Sequence, residues 1–270
     1  MKKLISLFVF SLVLTSAFAQ DLSKFKKENF IKGADTLKYR ILYPENFDAA
    51  KKYPVVLFLH GSGERGSDNE KQLVHGSKMF LTDDFRKKFS AIVVFPQCTE
   101  DSFWSNVEIE TVTGKRFFNF LTGGAPTKAM SLLLGLTDEL VKKTFADQTK
   151  IYLGGLSMGG MGTFELLRRK PKTFAAAFPI CGGDNVANVK KYKKIPLWIF
   201  HGGLDDVVNP QLSYNVYHAL KKVGHTPKFT VYPKATHNSW DSTFAEPELM
   251  SWLFSKTKNQ TSQVPARSSE

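Results

Sequence analysis

Ser157, Asp205 and His237 have the residue types needed for nucleophilic catalysis, in the order Ser, Asp, His with spacings of 48 and 32 residues. A serine hydroxyl is a poor nucleophile at neutral pH and needs a neighbouring base. His237 can take its proton, and an acid can hold the imidazole in the right tautomer and stabilise the imidazolium. The sequence around the serine is Gly155-Leu156-Ser157-Met158-Gly159, a G-x-S-x-G pattern. The apolar run Ile151-Tyr152-Leu153 precedes it, and a helix-like stretch containing Phe164, Leu166 and Leu167 follows. Strand, sharp turn, helix is the context that lifts a serine hydroxyl clear of a sheet. A Gly-rich loop could match the pattern by chance, so the flanking segments carry the argument.

Other residues compete for the same roles. Asp206 adjoins Asp205, and Asp184 follows another strand. Asp205 is preferred because it comes first after the Gly202-Gly203 bend. His60 and His201 each precede a glycine at a strand end, where a structural bond to backbone is expected. His75, His218 and His225 fall in or beside helices and are read as surface or packing residues. The loop His60-Gly61-Ser62-Gly63-Glu64-Arg65-Gly66 can turn its amides inward, as an oxyanion-binding loop must. Glu64 can pair with Arg65 to hold the loop. Trp104 lies in a loop after a strand. It either walls a substrate pocket, the reading adopted, or anchors the loop together with Phe103.

These residues need a scaffold that brings strand ends together. Residues 24–43 read as an antiparallel hairpin at a sheet edge, with Gly33 in its turn. Apolar runs at Val55–Leu59, Ala91–Phe95, Ile151–Leu153, Phe174–Ile180, Pro196–Phe200 and Phe229–Tyr232 read as strands. Helical segments fall between them, one over 127–144 and one opened by Asn209-Pro210. Alternation over 55–255 predicts a mostly parallel central sheet with helices on both faces. Ser157, Asp205 and His237 all follow strand C-termini, where such sheets carry their sites. Residues 105–126 have no clear form and are expected to overhang the site.

The chain has 270 residues, with 37 Lys plus Arg, 25 Asp plus Glu and a formal net charge of +12. The basic residues are scattered in pairs such as Lys51-Lys52 and Arg168-Arg169. No nucleic-acid motif organises them, so a solvated basic surface is expected. Met1-Lys2-Lys3, an apolar run over 4–18 and Ala17-Phe18-Ala19 have the form of a cleavable signal peptide, 1–19. A single membrane anchor is the other reading, but the run is short for a span. The expected division is then 1–19 signal, 20–256 catalytic domain and 257–270 polar tail, with an exported product and no stable membrane insertion. Cys98 and Cys181 are either bonded to one another or two buried thiols. Neither an H-E-x-x-H pattern nor clustered cysteine ligands occur, and no dinucleotide fingerprint follows the first parallel strand. No metal or cofactor is therefore expected.

The loop 60–66, Pro96-Gln97-Cys98, Gly155–Gly160, His201-Gly202-Gly203-Leu204-Asp205-Asp206-Val207-Val208 and the His237 loop together resemble one known group. It is that of the secreted α/β-hydrolase esterases: dienelactone hydrolases, polyhydroxybutyrate depolymerases, and feruloyl and acetylxylan esterases. Bacterial proteins described as predicted peptidases or phospholipase/carboxylesterase-like hydrolases are particularly similar. The resemblance spans about residues 35–255. It implies an α/β-hydrolase fold with Ser157 as nucleophile, Asp205 as acid, His237 as base, and the amides of Met158 and of one residue in the Ser62–Gly63 loop as oxyanion donors. It also implies hydrolysis of short-chain or polysaccharide-linked esters without a cofactor. A peptidase, a lipase or polyester hydrolase, and a non-catalytic binding protein on the same fold are the alternatives. Where members often have proline directly after the valine pair, this chain has Asn209-Pro210.

Overall fold

The structure, a computed structural model, describes residues 21–258. The expected signal segment 1–19 and most of the expected tail lie outside the described residues. Residues 257 and 258 are described, and Lys258 is tied to the domain by its N–H to the Thr149 carbonyl at 2.9 Å.

The elements follow the alternation read from the sequence. Strands β1 (Lys26–Lys32) and β2 (Asp35–Leu42) form the antiparallel edge hairpin. Gly33 turns it at φ +62°, in the left-handed region that a glycine enters without strain. Then come β3 (Tyr53–Leu59), the short helices α1 (Ser77–Phe80) and α2 (Asp83–Lys88), and β4 (Ile92–Pro96). The unassigned stretch after β4 forms a second hairpin, β5 (Val107–Val112) and β6 (Lys115–Phe120). Helix α3 (Lys128–Lys142) leads to β7 (Ala146–Leu156) and α4 (Met158–Arg169). The remainder is β8 (Ala176–Ile180), α5 (Val189–Tyr192), β9 (Trp198–Gly202), α6 (Gln211–Lys222), β10 (Lys228–Tyr232), α7 (Trp240–Phe244) and α8 (Leu249–Phe254).

Eight strands make the main sheet in the order β1-β2-β4-β3-β7-β8-β9-β10. The pairs from β4 to β10 are parallel, and only the β1–β2 and β2–β4 pairs are antiparallel. A strand covered on both faces must be apolar at successive positions rather than alternate ones. In β3, Val55, Leu57 and Leu59 enter the cluster on one face, while Val56 and Phe58 enter the cluster on the other. In β7, Ile151 and Leu153 face one way and Tyr152 and Leu156 the other. The first face packs on α3, α4 and α6; the second packs on α8 and the segment containing α1 and α2.

Capping side chains mark where helices begin. Thr127 accepts from Met130 N–H to open α3, and Thr82 accepts from Phe85 N–H to open α2. The Asn209 side chain accepts from Gln211 N–H at 2.9 Å, so the Asn209-Pro210 pair starts α6 as its sequence implies. The hairpin β5–β6 is held by Asn185 Nδ2, which donates to the Phe120 carbonyl at 2.9 Å. Phe120 packs with Met161 and Val208, next to the two strand ends that carry Ser157 and Asp205.

Candidate active site

The serine sits on a turn that its neighbours leave no alternative to. Ser157 has φ +53° and ψ −116°, a conformation that costs of order 1–3 kcal/mol for a non-glycine residue. β7 ends one residue before it and α4 begins one residue after it. A Cβ on Gly159 would collide with the Leu59 carbonyl, and one on Gly155 with the Gly159 carbonyl. Strand and helix therefore cross too closely for any side chain at either position.

The three candidates converge at this turn. Ser157 Oγ lies 3.0 Å from His237 Nε2, and His237 Nδ1 lies 2.8 Å from Asp205 Oδ2. The carboxylate can only accept, so His237 carries its proton on Nδ1, and Nε2 is free to accept from the serine hydroxyl. Asp205 is held in turn by the Val207 and Val208 N–H groups, which donate to Oδ1 at 3.0 and 2.9 Å. Burial alone would raise its pKa. Hydrogen bonds from His201, His237 and Val208 N–H outweigh burial and hold the carboxyl well below the usual range, so it stays ionised. Asp206 is exposed, and it is Asp205 that His237 pairs with. Asp184 is buried and spoken for: it accepts from Asn185 N–H, Asn188 Nδ2 and Tyr192 Oη.

The oxyanion candidates are the amides of Met158, Ser62 and Gly63. None of the three N–H groups has an acceptor among the described residues. Met158 opens α4, so the positive end of that helix dipole points at the same place. The loop bearing Ser62 and Gly63 is tied down by two side chains. His60 Nδ1–H donates to the Gly61 carbonyl at 2.6 Å, and its Nε2 accepts from Cys98 N–H at 2.9 Å. Arg65 donates from Nε to the Ser62 carbonyl and from Nη1 to the carbonyls of Glu100 and Ser102. The expected Glu64–Arg65 pair is therefore not formed. Arg65 turns to loop carbonyls, and Glu64 turns toward His75, with Oε1 3.7 Å from Nε2.

A family model described as phospholipase/carboxylesterase matches residues 125–247, the part that holds Ser157, Asp205 and His237. A crystal structure of a thermostable esterase superposes with a TM-score of 0.77 at 31% identity, covering 87% of this chain and 64% of that one. The chain has the α/β-hydrolase fold. Its curated relatives are similar over shorter or weaker stretches. A bifunctional acetylxylan esterase/xylanase of Neocallimastix patriciarum is 35% identical over 164 residues, 60% of this chain and 21% of that protein. Lysophospholipase-like protein 1 of Mus musculus is 26% identical over 220 residues, 76% of this chain and 88% of that one. The chain thus spans only about a fifth of the first relative and less than two thirds of the thermostable esterase.

Two sequence readings change on the hydrolase fold. Trp104 does not wall a pocket. It is fully buried in the core, its ring 5.5 Å from His60 and its Cβ against Gly162 of α4. The loop after β4 folds under the nucleophile helix rather than over the site, and the missing side chain at Gly162 makes room for the indole. His201, read as a strand-end structural residue, reaches further than that. Its Nε2 lies 2.9 Å from the Val208 carbonyl and 3.2 Å from Asp205 Oδ2, and Nδ1 lies 2.7 Å from Ser213 Oγ. Its spacing of four residues from Asp205 across the Gly202-Gly203 bend was the available signal. Trp240 was also missed: its ring stands 5.3 Å from His237, edge to face. Cys98 and Cys181 are both free and buried.

Proposed function

We propose that the chain is a serine-dependent carboxylic ester hydrolase that works through an acyl-enzyme. The observation that carries this is the continuous relay from Ser157 Oγ through His237 to an ionised Asp205, set on a strained turn beside unpaired amides. Ser157 Oγ attacks the acyl carbon while its proton passes to His237 Nε2. The carbonyl oxygen gathers charge and is met by the Met158 amide and those of Ser62 and Gly63. His237 then gives its proton to the departing alcohol oxygen, leaving the acyl group on Ser157. Water repeats the sequence, losing a proton to His237 as it attacks, and the acid leaves.

Short-chain and polysaccharide-linked acetyl or feruloyl esters are the substrates we infer. The likeness to the acetylxylan esterase/xylanase and the thermostable esterase supports this class. The same relay serves amides, which have the poorer leaving group and demand more of His237 as an acid. A fluorophosphonate probe should label Ser157. Purified protein should then turn over acetyl, butyryl or feruloyl esters with higher kcat/KM than chromogenic peptides. Absence of labelling, or peptides as the better substrates, would overturn the proposal.

Export of the mature chain is a second part of the proposal. The basic start, the apolar run over 4–18 and Ala17-Phe18-Ala19 support it. N-terminal sequencing of protein from the extracytoplasmic fraction should begin at Gln20.

A further inference from the structure

Glu64 is an acid that the hydrolytic steps do not use, next to the nucleophile that they do. A methyl group placed on Gly61 would lie 3.0 Å from Glu64 Oε2 and 3.7 Å from Ser157 Cβ. The Glu64 side chain is only 14% exposed, yet among the described residues no donor lies within hydrogen-bond distance of either oxygen. Among the described residues its nearest ionisable partner is the His75 ring at 3.7 Å, because Arg65 is committed to carbonyls elsewhere. From Glu64 the wall continues through aromatic rings. His75 and Trp240 are 5.1 Å apart, and Trp240 and His237 are 5.3 Å apart. The half-buried indole thus joins the carboxylate side of the site to the general base.

A carboxylate here works against acyl transfer, since it repels the oxyanion that the reaction must develop. The Glu64 oxygens keep contact with solvent, so water supplies their donors in the free protein. The repulsion is offset if hydroxyls of the substrate displace that water and donate in its place. Two carboxylate oxygens accept from two adjacent hydroxyls, and an indole offers a flat apolar face to ring C–H groups. An acetyl or feruloyl group has no pair of aliphatic hydroxyls. A sugar ring has both the hydroxyls and the C–H face.

We propose that Glu64, His75 and Trp240 form the subsite for the alcohol part of the ester, and that this part is a neutral sugar. The proposal rests on the esterase reading and narrows it to esters of carbohydrates. It also implies a charge preference, because Glu64 would repel a uronate placed in the same position.

The test compares acetylated xylotriose with 4-nitrophenyl acetate, for the native chain and for Glu64→Gln, Trp240→Ala and Trp240→Phe. The readout is the ratio of the two kcat/KM values. Glu64→Gln and Trp240→Ala should each lower this ratio at least tenfold, mainly through KM on the sugar ester, with Trp240→Phe between them and the native chain. Free xylotriose should inhibit 4-nitrophenyl acetate turnover competitively, with a Ki at least tenfold weaker in Glu64→Gln. A ratio that moves less than twofold in Glu64→Gln overturns the proposal. So does a native chain that hydrolyses 4-nitrophenyl acetate but not the acetylated sugar, an outcome that leaves the esterase reading standing. A tenfold loss in Glu64→Gln confined to alanyl 4-nitroanilide would also overturn it, assigning Glu64 to a substrate ammonium. Failure of fluorophosphonate to label Ser157 would instead remove the esterase reading beneath it.

Discussion

At the scale of single residues, the relay sets what each substitution should cost. Ser157→Ala removes the nucleophile and should leave only the turnover that binding and the oxyanion amides support, orders of magnitude below the native rate. Asp205→Asn should cost a similar order in kcat, because the amide cannot hold the proton on His237 Nδ1. Asp206→Asn, exposed and outside the relay, should be nearly neutral. Initial rates on 4-nitrophenyl acetate check all three, and a reversed ranking of the two aspartates would contradict the geometry. His201 is a positioning residue for Asp205: its Nε2–H supports the same oxygen that receives His237. Losing one such bond is worth about 1–3 kcal/mol. His201→Ala should therefore lower kcat roughly tenfold or more while KM changes little. Ser213→Ala, which removes only the support of His201, should produce a smaller drop of the same kind. A change in KM alone would mean that His201 does not act through Asp205.

At the scale of elements, the β7–α4 crossing decides both the site and the packing beneath it. Gly155, Gly159 and Gly162 lie along it, and each is small because something occupies the space a side chain would need. At Gly162 that something is Trp104. Removing the indole should leave a cavity costing about 3–5 kcal/mol. We expect Trp104→Ala to lower Tm by several degrees and to reduce turnover of small and bulky esters together. Selective loss on bulky esters, with Tm unchanged, would restore a pocket role.

The sequence revealed this crossing well and its surroundings poorly. The elbow was legible because G-x-S-x-G between an apolar run and a helix leaves little freedom. Asp205 was legible because a Gly-Gly bend places the first acid after it. Trp104 was misread because a loop residue among polar neighbours carries no period that distinguishes inward from outward. Glu64 was assigned the wrong partner because adjacency in sequence does not show which way a turn points. The hairpin β5–β6 escaped notice because its outer positions are mixed, with Ile109, Val112 and Phe117 exposed. Val107-Glu108-Ile109-Glu110 does alternate and was the available signal, but the exposure of nearly all of β5 hides which face is inward.

At the scale of the whole molecule, two buried ionisable groups give stability opposing slopes in acid. Burial depresses the His60 pKa to about 4, so the folded protein refuses a proton that the unfolded chain accepts below about 6.5. Its contribution is lost as pH falls from about 6.5 toward 4 and amounts to about 3 kcal/mol. Burial raises Asp184 to about 6, despite its hydrogen bonds from Asn188, Tyr192 and Asn185. Its contribution is present below about 3.8 and lost as pH rises through 6. Between pH 4 and 6 the two compensate. Asp184→Asn keeps the bonds from Asn185 and Asn188 to Oδ1, and reverses the one to Tyr192, with Nδ2 donating to Oη. We expect it to raise Tm at pH 7.5, leave Tm near pH 4 almost unchanged, and so steepen the fall of Tm in acid. Thermal melts of both proteins from pH 4 to 8 check this, and parallel curves would show that the fold leaves the Asp184 carboxyl at its ordinary value.

Cys98 and Cys181 turn the fold into its own stopwatch. Both are free and fully buried, on strand ends near opposite sides of the elbow, and burial pushes the Cys98 thiol up to about 12 and Cys181 higher still. A thiol in that state does not react, since the thiolate is the nucleophile. Alkylation can then proceed only when the sheet opens, at a rate that reports the opening itself. Iodoacetamide added to the native protein should leave esterase activity intact for as long as the molecule stays closed. In mild denaturant, carbamidomethylation counted by mass spectrometry should keep pace with loss of activity. Rapid labelling without denaturant would mean that one of the thiols is reached by local breathing, and comparison of the two sites would say which end of the sheet opens first.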